Sequence, residues 1–379
     1  MSGTAPFDLY VAPGFEPVSD RFVENFTEHD ELAAAFCVYD RDDCIIDLIG
    51  GWADKAKTQN FGQNNLVPVF SSGKTMAALV IAWLADQDRL GYDQEIRSIW
   101  PEFDTHGKGR LTVAQIMSHQ SGLTGVTDPA WNVNDWYDWN KTCTTLAAQE
   151  PLWEPGTASG YAPVVYGFLA GEVARRADMH NRTLGQILRE ELCETEGLDI
   201  WIGLPEIHHE RCAYMCKPPA PAEFGEINEA TRVAFLEKGS SPGGRDITEW
   251  RKAEFAGSNC HATAKSLARI QQVALHERLD ARPCLSEGTL AQLHKTRISG
   301  RNLVLPFDLT FAVGYMKNTP NLFFGPNADT LGHSGWGGSC VFADPKTGLS
   351  GAYVMTKQNN TLLGDVRPVE LIKSLYTCV

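Results

Sequence analysis

The sequence predicts an α+β fold: an antiparallel sheet built from both ends of the chain and flanked by helices, with a mainly helical subdomain inserted. Two observations place the sheet. Strand-like apolar runs occupy residues 33–39 and 45–52 near the start, and 309–316, 331–343 and 349–356 near the end. Between them the apolar spacing is helical, so the simplest packing pairs the terminal strands in one layer. The third observation is the stretch from Met76 to Ala85, which is apolar on every side. A helix with no polar face belongs at the centre of a core. The expected organisation is one domain over residues 1–379, with 15–65 and 300–379 as an α/β subdomain and 66–299 as the helical one.

Taken in order, residues 15–26 read as a first helix, with Val18, Phe22, Val23 and Phe26 near helical spacing and Pro17 near the start. Arg41, Asp42 and Asp43 form a polar turn between the first two strands, so these read as a hairpin. The helix after Ser71 stops before Gly91. A short helix is expected over 111–119. An aromatic stretch with Trp131, Trp136, Tyr137 and Trp139 is expected as a pocket wall or lid, or else as a loop folded over the core. Glu154-Pro155-Gly156-Thr157 fits a type II turn, with proline and glycine at its two central positions. Helices follow over 164–176, with Pro163 suited to the first turn, and over 184–192. Residues 203–247 are rich in Pro and Gly and read as an excursion over the helical half. Helix returns over 262–275 and again over 369–376 after Pro368.

Composition narrows the function classes. Hydrophobic residues make up 43% of 379, enough for a large core. The formal charge of −14 disfavours nucleic acid or an anionic membrane as partner. Ten scattered cysteines without a C-x-x-C pair read as buried thiols in a reducing compartment. The first 14 residues lack a signal peptide's basic and apolar regions, and no apolar run is long enough to span a membrane. A cytoplasmic enzyme is the expectation. His208, His209, Cys212 and Cys216 have near-helical spacing but not the tight cysteine pairs of a zinc site, so no metal and no cofactor is expected. His119 is expected to cap a helix end, and His261 to line a pocket or serve structure.

The chemistry starts at Ser71 and Lys74, which share a helix face at i, i+3. Ser72 is only two residues from Lys74 and diverges from it. Serine needs a group to take its proton, and a buried lysine can be neutral enough to do so. Two more stretches complete the pattern: Tyr161 after Trp153-Glu154-Pro155-Gly156, and Gly332-His333-Ser334-Gly335-Trp336-Gly337-Gly338 at the start of a strand. Their order and spacing resemble the serine β-lactamase-like superfamily, in particular its class C branch and most of all its carboxylesterases, often called family VIII. The likeness extends to residues 111–123, 153–161, 167–172, 200–205 and 332–353, nearly the whole chain.

The resemblance implies the β-lactamase/transpeptidase-like fold, Ser71 as nucleophile, and Lys74 and Tyr161 as the proton-transfer groups, with either able to be the base. It implies an oxyanion hole from the backbone amides of Ser71 and Trp336, and His333, Ser334, Gly335 and Trp336 as substrate-binding positions. A second counting places Trp336-Gly337-Gly338 as the motif and Ser339 as the donor. Lys346-Thr347-Gly348 matches the third lactamase motif in letters, but it separates two strand runs after Asp344-Pro345 and reads as a turn. Two departures matter. Pro163 stands where a lactamase has an asparagine to grip the substrate amide, and His333 stands where it has a lysine to anchor a carboxylate. The expected activity is therefore hydrolysis of a neutral small-molecule ester or thioester through a Ser71 acyl-enzyme. An acyltransferase of the same fold is the alternative. A β-lactamase and a non-catalytic binding protein are lesser rivals.

Overall fold

Nine strands form the main sheet of the computed structural model, which describes residues 5–245, 247–279 and 282–379. The early strands are β1 (Phe7–Val11), β2 (Ala33–Asp40) and β3 (Asp43–Gly51). The late ones are β4 (Ile298–Arg301), β5 (Asp308–Phe311), β6 (Met316–Lys317), β7 (Leu331–Ser334), β8 (Cys340–Ala343) and β9 (Leu349–Met355). Their order is β1-β3-β2-β9-β8-β7-β6-β5-β4, antiparallel throughout. The two chain ends meet at β2 and β9, in register from Asp40 opposite Leu349 to Ala34 opposite Met355. Every residue of β9 and all of β2 but Asp40 are buried. A strand covered on both faces has no polar alternation, which is why these runs were legible.

The helices used below are α1 (Glu16–Glu28), α2 (Lys74–Asp86), α3 (Val165–Ala177), α4 (Ala264–Gln271) and α5 (Val366–Thr377). Helices α1 and α5 pack on each other, α4 packs on β2, β8 and β9, and α2 packs on α3. Ten of the first eleven residues of α2 are buried, Trp83 being the partly exposed one, as its all-round apolarity requires. Among the described residues no helix is long and apolar enough to cross a membrane.

Several expectations are corrected. Residues 331–343 are not one strand but the hairpin β7–β8. Gly337 (φ 87°) and Gly338 (φ 127°) adopt the left-handed backbone that turns the chain at its tip. His333 and Ser334 therefore end a strand rather than begin one. Residues 309–316 likewise split into β5 and β6 around Gly314 (φ 70°). The helix expected over 111–119 is only Val113–Met117, fixed by a capping box between Thr112 and Gln115. Strand β1 escaped the sequence reading because it is an exposed five-residue edge. Lys346-Thr347-Gly348 lies in the turn between β8 and β9, as expected.

Candidate active site

Ser71 sits in a 3-10 turn, Phe70–Gly73, that runs directly into α2. The turn is anchored from both sides. The Val69 amide donates to Cys260 O at 2.8 Å, and Ser339 Oγ donates to Val69 O at 2.7 Å. Phe70 then takes φ 48°, a left-handed conformation that costs a side-chain-bearing residue about 1–3 kcal/mol. Ser72, buried, bonds His333 O at 3.2 Å and Ser339 Oγ at 3.0 Å, tying the turn to the β7–β8 hairpin. Ser72 is thus a brace, as its divergence from Lys74 predicts. Gly335 is required at the same junction: a Cβ there would lie 2.1 Å from Ser339 Oγ and 2.3 Å from Val69 O.

Lys74 has no solvent exposure. Its Nζ lies 2.6 Å from Gly257 O, 2.8 Å from Pro163 O and 3.1 Å from Ser71 Oγ. Burial pushes its pKa well below the ordinary lysine value. A neutral amine has two N–H donors and one lone pair. The two carbonyls take the donors, and the lone pair is left for the Ser71 hydroxyl.

Tyr161 joins this pair. Its hydroxyl lies beside the Ser71 side chain, and its ring centroid is 5.0 Å from Lys74 Nζ. The segment is clamped from two directions. The Tyr161 amide donates to Asn302 Oδ1 at 3.2 Å, and the Ala162 amide donates to His119 Nδ1 at 3.2 Å. His119 also stacks on Tyr161, Tyr166 and Phe311 at 4.9–5.0 Å. His119 caps the Val113–Met117 helix as expected, with φ 62° and its amide and that of Gln120 donating to Ile116 O at 3.3 Å and Gln115 O at 3.0 Å; its ring also braces Tyr161, a role that spacing alone did not reveal. The turn before Tyr161 is as expected, with Gly156 at φ 85°. Burial raises the Tyr161 pKa, so the phenol keeps its proton.

At the third stretch the Gly335 amide is already committed to Ser339 O at 2.7 Å. The Trp336 amide makes no backbone hydrogen bond among the described residues. The Ser71 amide lies in the first turn of its helix, where N–H groups lack internal partners. The Trp336–Gly337 loop is held from behind. Gln358 Nε2 donates to Trp336 O at 3.1 Å, and Arg367 donates to Gly337 O at 2.7 Å. Arg367 is buried and also pairs with Glu31 and Asp365. Neither Gln358 nor Arg367 was singled out from sequence.

A cavity of about 840 Å³ opens over Ser71. Tyr161, Ser334 and Trp336 line it with Ser71, whereas His333 and Gly335 pack behind its wall. His333 is buried, donates Nδ1–H to Ser334 O at 2.8 Å, and is held neutral by burial, its pKa pushed down to about 3. His261 stands behind Trp250, their rings 5.5 Å apart. The aromatic stretch is not part of this cavity. Trp136 stacks on Phe168, and with Tyr137 and Trp139 it lines a separate space of about 230 Å³. His208 lies on Trp201 and His209 on Leu204 O, and among the described residues no three His, Cys, Asp or Glu side chains gather as a metal site.

Comparison with known proteins agrees with this architecture. Esterase/beta-lactamase LipL of Mycobacterium tuberculosis (strain ATCC 25618 / H37Rv) is 31% identical over 360 residues, 90% of this chain and 81% of that protein. The crystal structure of a penicillin-binding protein homolog from Caulobacter crescentus matches with a TM-score of 0.94 and 45% identity, covering 99% of this chain and 100% of the other. That of a family VIII carboxylesterase matches with a TM-score of 0.90 and 34% identity, over the same shares. Residues 19–372 match the family described as Beta-lactamase, from α1 to within α5, and the chain belongs to that family.

Proposed function

We propose that the protein is a serine carboxylesterase-type hydrolase that works through an acyl-enzyme on Ser71. The environment of Lys74 carries this reading. With both amine N–H groups on carbonyls, the lone pair can take the Ser71 proton as Oγ attacks an ester carbonyl. Tyr161, kept protonated by burial, then supplies a proton to the leaving oxygen. The amides of Ser71 and Trp336 stabilise the oxyanion, and water releases the acyl group by the reverse sequence. The assignment of base to lysine and acid to tyrosine follows from the opposite demands of the two groups: burial disfavours both charged forms.

The substrate class follows from what flanks the carbonyl. Pro163 offers no side-chain donor, and neutral His333 lies behind the cavity wall, so neither grips a β-lactam's amide or carboxylate. Similarity to the carboxylesterase and to LipL supports an ester. Acyl transfer is the second reading, supported by the size of the cavity, which leaves room for an acceptor beside the acyl group. The aromatic stretch lends it no support, because it lies outside that cavity. Intact-mass spectrometry after a fluorophosphonate probe tests the nucleophile: one adduct on native protein and none on Ser71→Ala is expected. Product analysis with 4-nitrophenyl esters, with and without added alcohols, separates hydrolysis from transfer. No adduct on the native protein would sink both readings.

A further inference from the structure

The cavity over Ser71 carries a charge that the motif residues do not. Most of its wall is apolar, from Phe70, Phe224, Phe235, Trp250, Leu305 and Trp336. The charged side chains that line it, among the described residues, are Lys217 and Arg245, and no carboxylate lines it. Both belong to the non-periodic excursion over residues 203–247, away from the Ser71, Tyr161 and 332–338 motif stretches.

The two cations converge on one side of the cavity. Cys216 forms a parallel bridge with Lys357: its amide donates to Thr356 O at 2.7 Å and its carbonyl accepts from the Gln358 amide at 3.1 Å. That pairing places Lys217 next to the 356–358 segment. Arg245 reaches the same segment, donating to Gln358 Oε1 at 3.0 Å, with its guanidinium 5.8 Å from the Phe70 ring centroid. Phe70 precedes Ser71, and Gln358 holds the Trp336 carbonyl, so this side borders the reacting centre. Nearby Lys357 is already matched by Asp30. Lys217 and Arg245 have no ion-pair partner among the described residues, on a chain whose formal charge is −14. Two cations without an ion-pair partner or a lining carboxylate among the described residues, in a mostly apolar cavity, attract a substrate anion and favour it over a neutral isostere.

We propose that Lys217 and Arg245 form an anion subsite, and that the preferred substrates are esters carrying a carboxylate away from the scissile bond. This rests on the esterase reading and narrows it. The expectation of a neutral substrate came from positions 163 and 333, which bear only on the groups next to the carbonyl, and the subsite replaces it for the rest of the molecule. The subsite recognises the far end of the molecule.

Two pairs of esters test the proposal. One pair places the carboxylate on the acyl side (4-nitrophenyl hydrogen adipate against 4-nitrophenyl hexanoate). The other places it on the alcohol side (3-carboxyphenyl butyrate against 3-carbamoylphenyl butyrate). The readout is the ratio of kcat/KM for the acid ester to that for its neutral partner, which a general loss of activity does not move. In at least one pair the ratio is expected to reach about fivefold at low salt and to fall as salt is added. It is expected to drop towards one in the Arg245→Gln, Lys217→Gln double variant. Turnover of the neutral esters with ratios at or below one in both pairs overturns the anion subsite and leaves the esterase reading standing. A ratio that survives the double variant also overturns it. No Ser71-dependent turnover of any of the four esters overturns the esterase reading, and the subsite with it.

Discussion

Replacing Lys74 by methionine keeps the length of the side chain and removes the amine. Two effects follow from the geometry. Gly257 O and Pro163 O, which accept from Nζ at 2.6 and 2.8 Å, lose their donor, at about 1–3 kcal/mol for each carbonyl left unsatisfied. The Ser71 hydroxyl loses the group placed to take its proton, worth roughly 10²–10⁴ in rate. The two effects separate by pH. Burial lowers the folded pKa of Lys74, so between that pKa and the ordinary value of 10.5 the unfolded chain takes up a proton that the folded chain refuses. The wild type therefore gains stability as pH rises through this window, and the variant, with nothing to titrate, does not. Urea melts of both proteins at several pH values should show the wild-type advantage growing with pH. The wild-type kcat/KM on a 4-nitrophenyl ester should fall on the acid side as Lys74 protonates, and Lys74→Met should lose both the rate and that limb. A stability difference that is flat with pH would refute the lowered pKa. A variant that retains the acid limb would refute Lys74 as base.

Three further outcomes are expected. Tyr161→Phe should slow turnover strongly for esters of alkyl alcohols and little for 4-nitrophenyl esters, whose leaving group departs without a proton; equal losses on both would remove the acid role. Gly335→Ala drives a Cβ to 2.1 Å from Ser339 Oγ and 2.3 Å from backbone Val69 O, and should cost about 1–3 kcal/mol of unfolding free energy, read from urea melts, together with most activity. Arg367→Met strands Glu31 and Asp365 in the interior and should cost about 3–5 kcal/mol. Burial already holds Glu31 up at about 7 against the pull of Arg367, so folded Glu31 keeps a proton that the unfolded chain releases above about 4.5. Stability from this group thus declines as pH rises from 4.5 through 7. Without Arg367 the decline should extend to higher pH, readable in urea melts from pH 5 to 9.

The parts of the site that were legible are those in which a side chain's identity states its job. Ser71 and Lys74 stood out by their spacing at the head of a helix with no polar face. Tyr161 stood out by the turn before it. Strands β2 and β9 were legible because burial on both faces leaves an unbroken apolar run. The hairpin tip at 335–339 was not, because Gly337 and Gly338 interrupt the strand by backbone angle and not by polarity. Gly257 and Pro163 could not be read as partners of Lys74, because they act through carbonyls that every residue possesses. Arg367 reads as an ordinary charge just before the helix expected over 369–376. Only the fold reveals that it is 2% exposed and holds the Gly337 carbonyl.

The two halves of the site are held by opposite means, and this bears on how they work. The nucleophile side is apolar: Lys74 lies under Tyr161 and Tyr166, with carbonyls and a hydroxyl as its polar contacts. Among the described residues no carboxylate contacts it, so nothing there offsets the cost of a buried charge and the amine can stay a base. The oxyanion side is charged: Arg367, balanced by Glu31 and Asp365, grips the loop that carries the Trp336 amide. A neutral hydrogen bond in place of Arg367 would hold that loop less firmly against the pull of an oxyanion. Placing the ion network behind the loop, and not beside Lys74, gives the loop its rigidity without supplying the carboxylate that would return a proton to the lysine.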